Sequence, residues 1–169
     1  WDGDRRICYG GYKYIPGRWT DVAKELIEFY SLDSNSKVLD IGCGKGFLLF
    51  EMIKLIPNLK IYGLDISKYA ISNSKKEISD RLILGNANNL PFEDNFFDLV
   101  ISINTLHCLS CMDLEKSLIE MQRVSKKYKY LCVESFRNEE EKANLLYWQV
   151  TCEAFHNPDS WKWWFQKTG

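Results

Sequence analysis

The sequence predicts an α/β domain built on a doubly wound, mainly parallel sheet with helices on both faces. Three observations predict it. Five apolar, β-prone runs alternate with helix-spaced patterns between residues 38 and 134. The first run breaks into glycines at alternate positions, Gly42, Gly44 and Gly46, and a helical apolar series follows at once. The chain has 169 residues, 46% of them hydrophobic, which suits one domain with a substantial core.

Taken in order, residues 1–19 interleave Tyr9, Tyr12, Tyr14 and Trp19 with glycine, lysine and Arg18, without a regular period. They read either as an arm packed on the domain or as a lid over a ligand, because Tyr and Trp combine apolar area with a polar handle. Thr20 and Asp21 open a helix through Tyr30, and 31–37 is a polar linker. The run Val38, Leu39, Ile41 is the first strand, and the helix after it ends near Pro57. Lys60–Ile66 is a second strand, and Ser67 is placed to cap a short helix. Arg81–Gly85 and Phe96–Ile103 are the third and fourth strands, the latter apolar enough to be central. A helix spans Leu114–Val124, and Tyr128–Glu134 is the fifth strand. A helix from Glu139 to about Phe155 and a short one after Asn157-Pro158-Asp159 complete the pattern. One domain, 1–169, thus divides into an aromatic arm and helix (1–35), a ligand-binding core (36–135) and a helical, Trp-rich segment (136–169).

Charge is balanced, with 22 basic and 23 acidic residues and a net charge of −1. That argues against a broad nucleic-acid or anionic-membrane footprint. No run approaches the roughly 20 apolar residues of a membrane span, and the start is polar, unlike a signal peptide. The six cysteines include Cys108 and Cys111 beside His107, but no second Cys/His pair at finger-like spacing accompanies them. The expectation is a reduced, cytoplasmic protein without a metal.

Ligands of such sheets bind beyond the carboxyl ends of the strands, where the strand order reverses. Gly42–Gly46, Asp65, the 86–92 loop and 104–107 all follow strand ends and should converge. The G-x-G-x-G spacing differs from the dinucleotide fingerprint, since Phe47 stands where its last glycine would be, and no P-loop is present. Asp40, two residues before the first glycine, suits a ligand carrying positive charge and would repel a pyrophosphate. Val38–Gly46, Gly63–Ser67 and Gly85–Val100 together resemble the class I S-adenosylmethionine-dependent methyltransferases, in particular the small-molecule branch called type 11. The resemblance covers roughly 36–135.

The resemblance implies a Rossmann-like fold with S-adenosyl-L-methionine as cofactor. It implies that Gly42, Cys43, Gly44 and Gly46 approach the methionine and ribose with their backbone. Cys43 is a small filler, not a nucleophile. Asp40 would face the amino group, Asp65 both ribose hydroxyls and Ile66 the adenine ring. Asn86 and Ala87 would meet the adenine edge, with Asn86 standing where the family usually has Asp. Asn104 and Thr105 would reach the methionine end. The family sheet also finishes with an antiparallel pair for which no candidate follows residue 135, so the terminal strands are expected to lie outside this sequence.

The expected reaction is methyl transfer to an O or N of a small-molecule metabolite, with neither nucleic acid nor membrane as partner. His107 is the candidate base if the acceptor must lose a proton; a locally hydrogen-bonded histidine is the alternative. Tyr9, Tyr12, Tyr14, Arg18 and Trp19 are candidates for closing the site or orienting an acidic acceptor. Glu134 could hold an amine or hydroxyl, or equally cap the following helix. The Trp-rich tail reads as core, subunit contact or substrate wall. The competing functions are a non-catalytic S-adenosylmethionine-binding scaffold and a dinucleotide oxidoreductase.

Overall fold

The computed structural model describes residues 1–4, 6, 12–149 and 151–169. Among them, helices and strands follow one another as α1 (Thr20–Phe29), β1 (Lys37–Ile41), α2 (Phe47–Leu55), β2 (Lys60–Asp65), α3 (Lys68–Ser72), β3 (Leu82–Leu84), β4 (Phe97–Ile103), α4 (Cys111–Val124), β5 (Ser125–Cys132), α5 (Glu139–Trp148) and α6 (Pro158–Thr168). Short 3-10 segments precede β3 (Lys76–Arg81) and α4 (Leu106–Cys108).

The sheet runs β3-β2-β1-β4-β5, and every pairing is parallel. β1 is flanked by β2 and β4, so the order reverses at β1 and a crevice opens above its carboxyl end. Both faces are buried, which is why the strands read as continuous apolar runs. Alternation along β1 sends Val38 to one face and Leu39 and Ile41 to the other. The Val38 side packs on Ala23 and Leu26 of α1 and on Leu48, Leu49 and Met52 of α2. The Leu39 side packs on Leu114, Leu118 and Met121 of α4 and on Trp161 and Trp164 of α6. Those two tryptophans are core, whereas Trp148 and Trp163 are exposed.

Helix starts follow their caps. Ser67, Ser110, Asn138 and Asn157 each accept a hydrogen bond from a backbone N–H of the first turn. Two boundaries differ from the sequence expectation. β5 begins at Ser125, directly after α4, because a bulge between Phe97 and Leu99 lets the polar 125–127 stretch pair with β4. The helix expected to reach Phe155 stops at Trp148. The N–H groups of Glu153 and Ala154 donate to the carbonyl of His107 instead of continuing the helix.

Candidate active site

The glycine loop joins β1 to α2 at the switch point. Gly42, Gly44 and Gly46 have φ of 76°, 57° and 72°, in the left-handed region that disfavours a Cβ. At Gly42 the approach of the β4 loop adds a second constraint, since a Cβ would lie 2.1 Å from Thr105 Oγ1. The N–H groups of Gly42 and Cys43 donate to Leu64 O at 2.7 and 3.1 Å, tying the loop to β2.

Two buried carboxylates face this loop. Asp65, 6% exposed at the end of β2, accepts from Gly44 N at 2.7 Å and from Ser67 N at 2.8 Å. Each oxygen keeps acceptor capacity beyond that bond. Asp40, 5% exposed, receives no hydrogen bond from any described residue. Burial, and then the charge of Asp65, push its pKa up to about 7. Burial, followed by the charges of Asp40 and Asp65, raises the Cys43 thiol well above its usual range, consistent with an inert filler.

The other expected cofactor residues sit around the same strand ends. Ile66 is 74% exposed. Asn86 accepts from Asn88 N at 3.2 Å beside the buried Ala87. Asn104 has φ of 53° and donates its N–H to Cys132 O at 2.9 Å, joining the ends of β4 and β5. Thr105 Oγ1 donates to Ile103 O at 3.2 Å and lies 3.5 Å from Gly42 O.

His107 does not stand at the crevice as a free base. It is fully buried. Its Nδ1 accepts from Glu134 N at 3.2 Å, and its Nε2 lies 3.2 Å from the side-chain nitrogen of Gln149. With the carbonyl bonds from 153 and 154, the residue staples the ends of β4 and β5 to the segment after α5. Burial depresses its pKa, so the neutral ring is the native form. This is the locally bonded alternative, favoured because both ring nitrogens already have protein neighbours.

The aromatic residues of the arm separate into two groups. Tyr9 lies outside the described residues. Tyr12 stacks on Phe47, the first residue of α2, with ring centroids 5.3 Å apart. Tyr14 meets Phe47 and Phe50 edge-on and donates its hydroxyl to Glu51. Arg18 is exposed in the turn before α1, and Trp19 packs against the α1–α2 core. Sequence reasoning missed Trp1, Asp2 and Glu51. Trp1 lies over the loop, where a Cβ on Gly44 would meet its ring at 3.1 Å, and its Nε1 donates to Ser67 Oγ at 2.9 Å. Asp2 pairs with the buried Lys45 at 2.9 Å and accepts from the Tyr69 hydroxyl at 2.6 Å. Trp1 and Tyr12 thus cover the crevice, and two open grooves lie away from it. One of about 370 Å³ is lined by Pro57–Tyr62 with Asp80, Arg81 and Ile83, and one of about 440 Å³ by His156, Asn157 and Trp163.

Residues 32–169 match a family described as a methyltransferase domain. The chain belongs to this family. The methyl donor of the domain is S-adenosylmethionine. A tRNA (carboxymethyluridine(34)-5-O)-methyltransferase of Arabidopsis thaliana is 35% identical over 133 residues, covering 76% of this chain and 30% of the relative. The mitochondrial arginine-hydroxylase NDUFAF5 of Mus musculus is 38% identical over 89 residues, 52% of this chain and 25% of the relative. A demethylmenaquinone methyltransferase of Thermotoga maritima is 32% identical over 112 residues, 66% of this chain and 48% of the relative. The chain therefore spans about half or less of the length of these curated relatives. The YcgJ protein of Bacillus subtilis shares the fold, with a TM-score of 0.71 at 19% identity over 88% of this chain and 67% of that one.

The residues of this methyltransferase domain fit the cofactor. Asp40, a buried carboxylate without a donor among the described residues, matches a ligand carrying an ammonium group. Asp65 presents acceptors to a diol, and the glycine loop allows backbone contact. No helix among the described residues is long and apolar enough to cross a membrane.

Proposed function

We propose that this domain transfers the methyl group of S-adenosylmethionine to an O or N atom of a small-molecule metabolite. One observation carries the choice of acceptor. The rim beyond β4 and β5, residues 104–109 and 131–134, contains no lysine or arginine. Besides the buried His107, its polar side chains are those of Asn104, Thr105, Cys108, Cys132 and Glu134. A phosphodiester backbone would be met by cations at the mouth of the site, whereas a compact neutral or cationic acceptor suits this rim. The demethylmenaquinone methyltransferase relative supports the same reading.

The sulfonium supplies an activated methyl group for in-line displacement. The chain contributes position and exclusion of water. Asp40 would hold the amino end of the donor and Asp65 the ribose, with the Asn104–Thr105 backbone at the methionine end. Tyr12 and Tyr14 form the side wall. His107 holds the rim together and takes no proton from the acceptor.

A second reading, transfer to a nucleic-acid base, is favoured by the Arabidopsis tRNA methyltransferase relative. The domain should be incubated with the labelled donor and, separately, a metabolite extract below 1 kDa and total tRNA. Label in the small-molecule fraction alone supports the proposal, and label in tRNA alone replaces it with the second reading. Tight cofactor binding without transfer to either would favour the non-catalytic scaffold.

A further inference from the structure

Glu51 lies in the middle of α2 and is 1% exposed. It shares the buried side of the helix with Leu48 and Met52. A carboxylate in such a place is costly unless donors meet it. Three do. Tyr14 donates to Oε1, Thr20 Oγ1 donates to Oε2 at 2.6 Å, and Lys54 Nζ reaches the two oxygens at 3.0 and 3.1 Å. An apolar residue would pack α1 against α2 without the desolvation cost. What the carboxylate adds is direction, because each donor is held at a defined angle.

The donor that matters for the crevice is Tyr14. Its ring rests edge-on against Phe47 and Phe50 at 5.6 and 5.3 Å, and Lys75 Nζ lies 4.0 Å from its centroid. On the other side of the contact, Phe47 stacks with Tyr12, whose ring is 5.3 Å from that of Trp1. Tyr12 N donates to Trp1 O at 3.3 Å. Trp1 covers Gly44 and bonds Ser67, directly beside Asp65. An unbroken series of contacts therefore leads from the Glu51 carboxylate to the aromatic wall over the glycine loop.

We propose that Glu51 is a positioning residue for the cofactor. Its buried carboxylate anchors Tyr14, and through Tyr14 and Phe47 it sets the wall of Tyr12 and Trp1 that closes over a bound cofactor and slows its departure. The inference rests on the crevice being the cofactor site and is independent of the acceptor, since it is read by binding alone.

The experiment compares the wild-type chain with Glu51→Gln, Tyr14→Phe and Thr20→Val. Two quantities are measured well below each melting temperature. The first is the dissociation rate of S-adenosylhomocysteine, by stopped-flow displacement. The second is the rate at which trypsin cuts at Lys13 and Arg18, with and without that ligand. Losing the charge-assisted bond from Tyr14, by neutralising its acceptor in E51Q or removing its donor in Y14F, predicts release about tenfold faster in both. Both variants should also be cut faster, and ligand should protect them less than it protects wild type. T20V removes the α1 link alone and should lower the melting temperature with wild-type release. Wild-type release in E51Q and Y14F overturns the proposal. So does a T20V release rate equal to that of E51Q, because the carboxylate would then act only through α1 packing. No binding by the wild-type chain would instead refute the cofactor site itself.

Discussion

Replacing Asp40 with asparagine should make the empty domain more stable and the loaded one weaker. An unfolded aspartate titrates near 3.8, whereas burial and Asp65 hold Asp40 at about 7. Between those values the folded chain keeps a proton that the unfolded chain has lost. Stability therefore falls as pH rises from about 4 to about 7. The gap of about 3 units is equivalent to ~4 kcal/mol forgone above pH 7. The amide of D40N cannot ionise, so the variant should recover up to ~4 kcal/mol at pH 8 and almost nothing at pH 4. Urea unfolding of both chains at the two pH values measures this directly. Cofactor binding should show the opposite sign. A ligand ammonium needs the carboxylate, which is about one-eleventh ionised at pH 6 and about ten-elevenths ionised at pH 8. The wild-type dissociation constant for S-adenosylhomocysteine should fall about tenfold over that interval. Nearly one proton should be released per ligand at pH 6, visible by calorimetry in buffers of different ionisation enthalpy. D40N should bind more weakly, with no such pH slope. A variant less stable than wild type at pH 8, or wild-type affinity that is flat from pH 6 to 8, would refute the reasoning.

Asp65→Ala removes the acceptors proposed to hold the ribose and strands the Gly44 and Ser67 N–H groups, so cofactor affinity should drop by roughly 1–3 kcal/mol in calorimetry. Gly42→Ala places a methyl 2.1 Å from Thr105 Oγ1 at a φ of 76°; a loss of more than about 2 kcal/mol in chemical unfolding is expected, well above that of Gly44→Ala, whose new methyl meets the Trp1 ring at 3.1 Å and the Tyr12 ring at 3.7 Å. His107→Ala should cost ~2–4 kcal/mol of stability by emptying a fully buried site and stranding the Glu134 N–H that its Nδ1 accepts. Because burial depresses the His107 pKa, its contribution is complete above about pH 6.5 and is lost as pH falls below that value, so wild-type stability should decline there more steeply than that of H107A. Activity per folded molecule should fall only modestly in H107A, since the rim loses a tie but no proton acceptor; a hundredfold fall with the fold intact would restore the base role.

The elements most legible in the sequence were those with two independent signals. β1 and its loop carry an apolar run and three glycines, and α3 and α6 carry side-chain caps. The strand ends Asp40, Asp65, Asn86 and Asn104 converge because a parallel sheet puts every carboxyl end on one edge. The end of α5 was not legible. Residues 149–155 contain no glycine or proline to stop a helix, but the N–H groups of Glu153 and Ala154 find the His107 carbonyl, a partner more than forty positions away. His107 itself illustrates the same limit. Its place after β4 suggests chemistry, while its buried neighbours from β5 and the segment after α5 give it a structural task.

Glu51 could have been suspected as an acid on the apolar stripe of α2, yet its partners Tyr14 and Thr20 are more than thirty residues away. Trp1 and Asp2 carry no local signal at all. By itself the sequence determined the alternation of strands and helices, the glycine turn and the acids that follow the strands, because those depend on local backbone preference and on period. Only the tertiary structure decided which carboxylate stays without a donor, which histidine is spent on the scaffold and which aromatic rings cover the crevice. Those outcomes depend on burial and on hydrogen-bond partners brought from distant parts of the chain, and no local pattern encodes them.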